Sequence, residues 1–130
     1  MIDFNNWFRQ IVTTCDLIAS KDAFTRTWIL GDHSITSIHY YDELFEQLIG
    51  DLHLEECLQQ FESTLREVGA FEALSSFYAA LRLLDERIET RSDLQDPKLL
   101  LSSVEWATFQ TAAKQVLALP AAQPYLSAAR

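Results

Sequence analysis

Residues 71–88, FEALSSFYAALRLLDERI, carry apolar side chains at Phe71, Leu74, Phe77, Tyr78, Leu81, Leu84 and Ile88. Steps of three and four lay these side chains along one stripe of a 3.6-residue helix, where a half-buried strand would alternate every second residue. This stretch predicts an amphipathic helix, and its neighbours extend the pattern in both directions. Upstream, Leu54, Leu58, Phe61, Leu65 and Val68 predict one long helix closed by Gly69, a residue at ease in a left-handed cap. Before it, Leu44, Phe45, Leu48, Ile49 and Leu52 predict a helix starting near Tyr41 and faltering at Gly50, with Asp51 placed to cap the next turn.

Phe4, Trp7, Phe8, Ile11, Val12 and Cys15 place a first helix over residues 2–19. Ser20 is positioned to cap a short second helix through Ala23, Phe24 and Trp28, with Gly31 as its stop. Between Trp28 and Tyr40 the pattern fits a helix end followed by a loop, with a small hairpin across 28–39 as the alternative. Downstream of the opening stretch, residues 91–97 form a local linker in which Asp96 can cap and Pro97 is pre-set for a first helical turn. Ser102 and Glu105 fit a reciprocal capping box opening a helix with Trp106, Phe109, Ala113, Val116 and Leu117 inward, ended by Pro120. A final turn is expected near Tyr125 and Leu126. The reading is one all-α domain over residues 1–130, a compact bundle of about five or six helices.

Only three Gly and three Pro occur among 130 residues, and 48% of the chain is apolar, which excludes collagen-like, low-complexity and broadly disordered classes. Ten Lys and Arg stand against nineteen Asp and Glu, a net charge of −9 that repels phosphate backbones, so nucleic acid is not an expected partner. Asp3 stands where a secretory leader would carry positive charge, and no apolar run approaches the roughly 20 residues of a membrane span. A cytoplasmic protein, not held at a membrane, is the expectation. Cys15 and Cys57, each among apolar neighbours, read as buried free thiols rather than a disulfide.

The charge is concentrated. Residues 42–72 contain Asp42, Glu43, Glu46, Asp51, Glu55, Glu56, Glu62, Glu67 and Glu72 against Arg66 alone, a local net of −8. Helix starts favour negative charge and account for Asp42, Glu43, Asp51, Glu55 and Glu56, but the predicted helices put Glu62, Glu67 and Glu72 late, where it is disfavoured. A surface that attracts a cationic partner is the functional reading, since complementary fields accelerate association. Asp42, Glu43, Glu46, Glu55, Glu56 and Glu62 are expected to form ion pairs with Lys and Arg of the partner, and Tyr40 and Tyr41 are the apolar anchors. Trp28 is expected in the core.

Chemistry-bearing patterns are sparse. His53, Glu56 and Cys57 share a helical face by spacing and define a rival reading as a small metal-binding helical enzyme, although no CxxC or HExxH pattern accompanies them. His33 and His39 bracket Ser34, Thr36 and Ser37, without a nucleophile elbow or an oxyanion loop, so these hydroxyls read as caps and loop hydrogen bonds. With no glycine-rich phosphate loop either, the chain reads as a binding protein without a cofactor rather than an enzyme. A further rival is a helical homodimeric adaptor using the apolar tail Leu119 to Ala129, with a monomer the preferred free state.

Residues 28–51, WILGDHSITSIHYYDELFEQLIGD, resemble immunity proteins of bacterial contact-dependent growth inhibition systems. The matching positions are Trp28, Gly31, Thr36, Ser37, Ile38, Tyr41, Asp42, Glu43, Leu44, Glu46, Gln47 and Asp51, under a fifth of the chain. The resemblance implies a small cytosolic antitoxin that binds the toxic C-terminal domain of a delivered effector and blocks it. Many such toxins are nucleases with basic clefts, which suits an acidic surface.

Overall fold

A computed structural model of the chain describes residues 2–20, 22–36 and 38–129, with side chains as far as Leu126. Ser37, and the side chains of the tail beyond Leu126, lie outside the described residues. Among the described residues the α-helices are α1 Phe4–Ala19, α2 Tyr41–Phe45, α3 Leu54–Gln60, α4 Glu62–Glu67, α5 Phe71–Thr90, α6 Pro97–Leu101, α7 Val104–Leu117 and α8 Gln123–Ala129. Wide π-helical turns occupy Thr25–Ile29 and Glu46–Asp51, and tight 3₁₀ turns Ser92–Gln95 and Pro120–Ala122. No strand occurs among the described residues, so the fold is all-α and the hairpin alternative is replaced by a helix end and loop. None of the described helices is long and apolar enough to cross a membrane.

Helix α7 is the centre of the bundle, packed on α5 along one side and on α1 along another. Its Phe109 stacks on Phe77 of α5 with ring centroids 5.1 Å apart, and fully buried Ala113 keeps the contact between helix backbones close. From α1, Trp7, Phe8, Ile11, Val12, Cys15 and Ile18 enter the same core, joined by Leu74, Leu81 and Leu84 of α5. Most residues that define the helical stripes in the sequence are buried or half-buried, Val68 at 41% exposure being an exception, and their removal from water is the main source of the fold's stability. Cys15 and Cys57 are both free and buried, and burial pushes both thiols up from their ordinary range. In the tail, Ala122 and Leu126 are buried and Tyr125 packs edge-on against Phe8, so these apolar groups serve the protein's own core.

Several helix ends differ from the sequence expectation. The long helix through 54–68 breaks at Phe61, whose φ of −102° and ψ of 16° separate α3 from α4. Its ring leaves the ladder to pack against Trp7 at 5.5 Å and Phe4 at 5.3 Å, so tertiary aromatic contact prevails over continuous helical propensity. Asp51 does not cap α3; it ends the preceding π turn, and His53 holds the cap position. The capping box is shifted too. Ser103, not Ser102, accepts the amide of Trp106 at 3.0 Å, while Glu105 pairs with Arg91 at 3.0 Å instead of reaching back to its helix start. Expected caps do stand at Ser20, which accepts the Ala23 amide, and at Asp96, which accepts the Lys98 amide ahead of Pro97. Gly69 sits at φ +74°, as a left-handed helix stop requires.

His53 is left-handed as well, at φ 48° and ψ 48°, a conformation that costs a residue with a Cβ about 1–2 kcal/mol. His53→Gly is therefore expected to stabilise the protein by about 0.5 kcal/mol, the strain relieved outweighing the extra freedom of glycine in the unfolded chain. Urea unfolding checks this; a destabilised variant would mean that the imidazole holds more than its exposed contact to Glu56.

Candidate functional site

The acidic residues keep their distribution but not the explanation the sequence suggests for it. All nine carboxylates of segment 42–72 are exposed, because Leu44, Leu48, Leu52, Leu54, Leu58 and Leu65 turn the opposite faces of the same elements into the core. The break at Phe61 puts Glu62 in the first turn of α4, and Glu72 lies in the first turn of α5. Both are dipole-favoured positions; for Glu62 this corrects the expectation of a late position, while Glu72 is the second residue of the helix that the 71–88 stripe itself predicts. Arg66 pairs with Glu62 at 3.0 Å and with Glu72 at 3.5 Å, and its guanidinium lies 4.1 Å from the centre of the Phe71 ring. Glu43 accepts the His39 amide at 3.1 Å, and burial, then the negative charge of Glu55, raise the Tyr78 hydroxyl above its ordinary pKa. Among the described residues Asp51 and Glu67 have neither a helix start nor an internal bond, and Glu46, in the first turn of a π segment that continues α2, has no side-chain partner. Local structure offers no reason for their negative charge.

Beside this face a cavity of about 480 Å³ opens between the start of α2, the end of α5 and the segment entering α6. Trp28, Tyr40 and Tyr41 form its aromatic wall, and Ile88, Leu94 and Leu100 its apolar side. Asp42, Asp85 and Glu89 supply its charge, and among the described residues no Lys or Arg lines it. Trp28 is held by its indole N–H, which donates to the Ile38 carbonyl at 3.1 Å, and by stacking on Phe24 at 4.4 Å. The π turn containing it is marked by the Leu30 amide reaching the Thr25 carbonyl, and Gly31 follows at φ +74°. Thus Trp28, expected in the core, is half-buried and shared between core and cavity.

Tyr40 and Tyr41 diverge. Tyr40 is 64% exposed and available as an anchor. Tyr41 is half-buried against the core, and its hydroxyl donates to Asp85 at 3.0 Å, so its ring is held in place as part of the cavity wall. Asp85 and Glu89 were not singled out from the sequence; they lie 44 and 48 positions from Tyr41, in the electrically balanced half of the chain. Their one signal in the sequence is their position a turn apart at the end of the helix that residues 71–88 predict.

Burial first, then the charge of Asp85 and its hydrogen bond, and then Asp42 and Glu89, push the Tyr41 hydroxyl far above its ordinary pKa of 10. The fold therefore keeps a proton that the unfolded chain releases above pH 10, and stability contributed by the neutral phenol falls as pH rises through that point. Tyr41→Phe is expected to cost about 0.5–1.5 kcal/mol near neutrality through the lost hydrogen bond, and to flatten the alkaline decline. Cys15 acts in the same direction in both proteins, so the difference between their urea-unfolding curves at several pH values isolates Tyr41. Parallel curves above pH 10 would remove Tyr41 as the cause.

The metal reading gains no geometry. His53 Nδ1 lies 3.5 Å from Glu56, but Cys57 is fully buried, and among the described residues no group of three His, Cys, Asp or Glu side chains is placed to hold a metal. His33 and His39 stack on each other at 3.9 Å. Between them Ser34 bonds to Asp32 and Thr36 accepts the Ile38 amide, the loop role expected of these hydroxyls. Comparison with models of known protein families, with curated proteins and with solved structures finds no match to this chain.

Proposed function

We propose that this protein binds a basic protein partner through the acidic surface of residues 39–72 and inhibits it by steric and electrostatic occlusion. The observation that carries this reading is the set Glu46, Asp51 and Glu67: exposed negative charge in a segment whose one cation, Arg66, is engaged by Glu62 and Glu72, and without an internal pair among the described residues. Such charge repels itself and disfavours the compact state, so a role outside the fold accounts for it, as a field that steers a cationic partner. The resemblance of residues 28–51 to contact-dependent growth inhibition immunity proteins supplies the biological form of the reading. In it, the partner is the basic toxin domain of a bacterial effector, a nuclease being the chemistry that best suits an anionic inhibitor. The protein acts as a cofactor-free antitoxin in the cytoplasm of the producing cell.

The test is co-expression with the C-terminal domain of the protein encoded immediately upstream. A stoichiometric complex and restored growth are expected. Growth arrest that persists with both proteins present, or an upstream product lacking a basic toxic domain, overturns the reading.

A further inference from the structure

An acidic face steers a partner from a distance but does not by itself grip it, and the cavity beside that face has the chemistry of a grip. We propose that the cavity walled by Trp28, Tyr40 and Tyr41 receives an arginine side chain of the partner, its guanidinium against the aromatic wall and hydrogen-bonded to Asp42, Asp85 and Glu89. The inference rests on the binding reading above in so far as the arginine arrives on a protein.

Three features of the cavity define this occupant. The first is its charge: three carboxylates line it, no Lys or Arg does, and none of the three is in an ion pair among the described residues. Asp85 stands at the aromatic wall itself, accepting the Tyr41 hydroxyl at 3.0 Å, and Asp42 and Glu89 line the same cavity. The second is the aromatic wall, whose ring faces attract a cation and stack against a planar one. Trp28 is fixed for this by its bond to the Ile38 carbonyl, and Tyr41 by its bond to Asp85. The third is the apolar side formed by Ile88, Leu94 and Leu100, which suits the methylene stem of a long side chain while its head meets the carboxylates. A lysine ammonium is more strongly hydrated and cannot offer the planar fork, and a quaternary ammonium has no N–H for the carboxylates. The guanidinium alone uses wall, charge and stem surface together. A volume of about 480 Å³ accommodates it with room for the flanking backbone.

The probe is an uncharged-end pentapeptide, acetyl-Gly-Ser-Arg-Ser-Gly-amide, compared with versions carrying lysine, trimethyl-lysine or citrulline in the central position. The readout is the indole N–H signal of Trp28 in a ¹H–¹⁵N NMR titration of the full chain, assigned by its loss in Trp28→Phe. Trp7, 2% exposed and packed between Phe4 and Phe61, provides an internal reference. The arginine peptide is expected to move the Trp28 signal saturably and citrulline not to move it, with lysine and trimethyl-lysine weaker by roughly threefold or more. Asp85→Asn with Glu89→Gln keeps an acceptor for the Tyr41 hydroxyl, preserving the wall, and is expected to weaken arginine binding roughly tenfold. A Trp28 signal that stays fixed, or moves equally with lysine, trimethyl-lysine or citrulline, or is indifferent to the carboxamide variant, overturns the proposal. The two readings fail separately. Peptide binding without any toxin complex sinks the inhibitor role and leaves an arginine site; a toxin complex without peptide binding sinks the arginine site and leaves the acidic face.

Discussion

Replacing Glu46, Asp51 and Glu67 together by lysine is expected to slow capture of the basic partner by roughly one to two orders of magnitude, the scale on which complementary fields set association rates. The variant moves the net charge from −9 to −3, six units on three residues. These positions are chosen over Glu43 and Glu62 because the latter hold the His39 amide and Arg66, so altering them would mix folding with binding. Asp51 and Glu67 end their elements, where lysine is favoured by the helix dipole, and thermal stability should be unchanged or slightly raised. Stopped-flow association at increasing salt is the measurement. The native protein should lose rate steeply as salt rises, and the variant should show a shallow dependence, since screening removes the same long-range attraction. An unaltered rate and salt slope would separate the acidic block from recognition altogether.

Trp7→Ala is expected to be the most damaging single change to the fold, at about 3–5 kcal/mol for the cavity left by a buried aromatic ring. The indole packs against Phe4 and Phe61, and its N–H donates to the Leu52 carbonyl at 2.6 Å, satisfying an acceptor at the end of a helical segment. A domain of this size has about 5–15 kcal/mol in hand, so such a loss lowers the urea midpoint by about 2 M at a typical denaturant slope. Trp7→Phe keeps most of the ring and loses the donor, and should cost about 1–2 kcal/mol. Far-UV circular dichroism follows both transitions without relying on tryptophan emission. A loss below about 1 kcal/mol for Trp7→Ala would mean that α1 and the segment ending at Leu52 are not joined as described.

The helices read from periodicity are those whose apolar stripe is long and unbroken. In α1, α5 and α7 the stripe, the buried set and the bounds agree closely, because removing one continuous face from water needs no information beyond its spacing. Helix ends were less legible. Ser102 and Ser103 are chemically equal caps, and the choice between them depends on where α6 finishes and on Arg91 engaging Glu105 from another turn. The break at Phe61 is invisible in a run whose residues all tolerate helix, since what opens it is the contact of one ring with Phe4 and Trp7 some fifty residues earlier.

The candidate site divides the same way. The sequence by itself determined an all-α domain with a strongly anionic middle, because amphipathic spacing is local and charge is a matter of counting. Only the tertiary structure decided which acids are occupied and which are free, and that Tyr41 faces Asp85 and Glu89 across a cavity. Those facts depend on how α2, α5 and the π turn at Trp28 meet, and the meeting of distant segments is fixed by packing complementarity that no local pattern encodes.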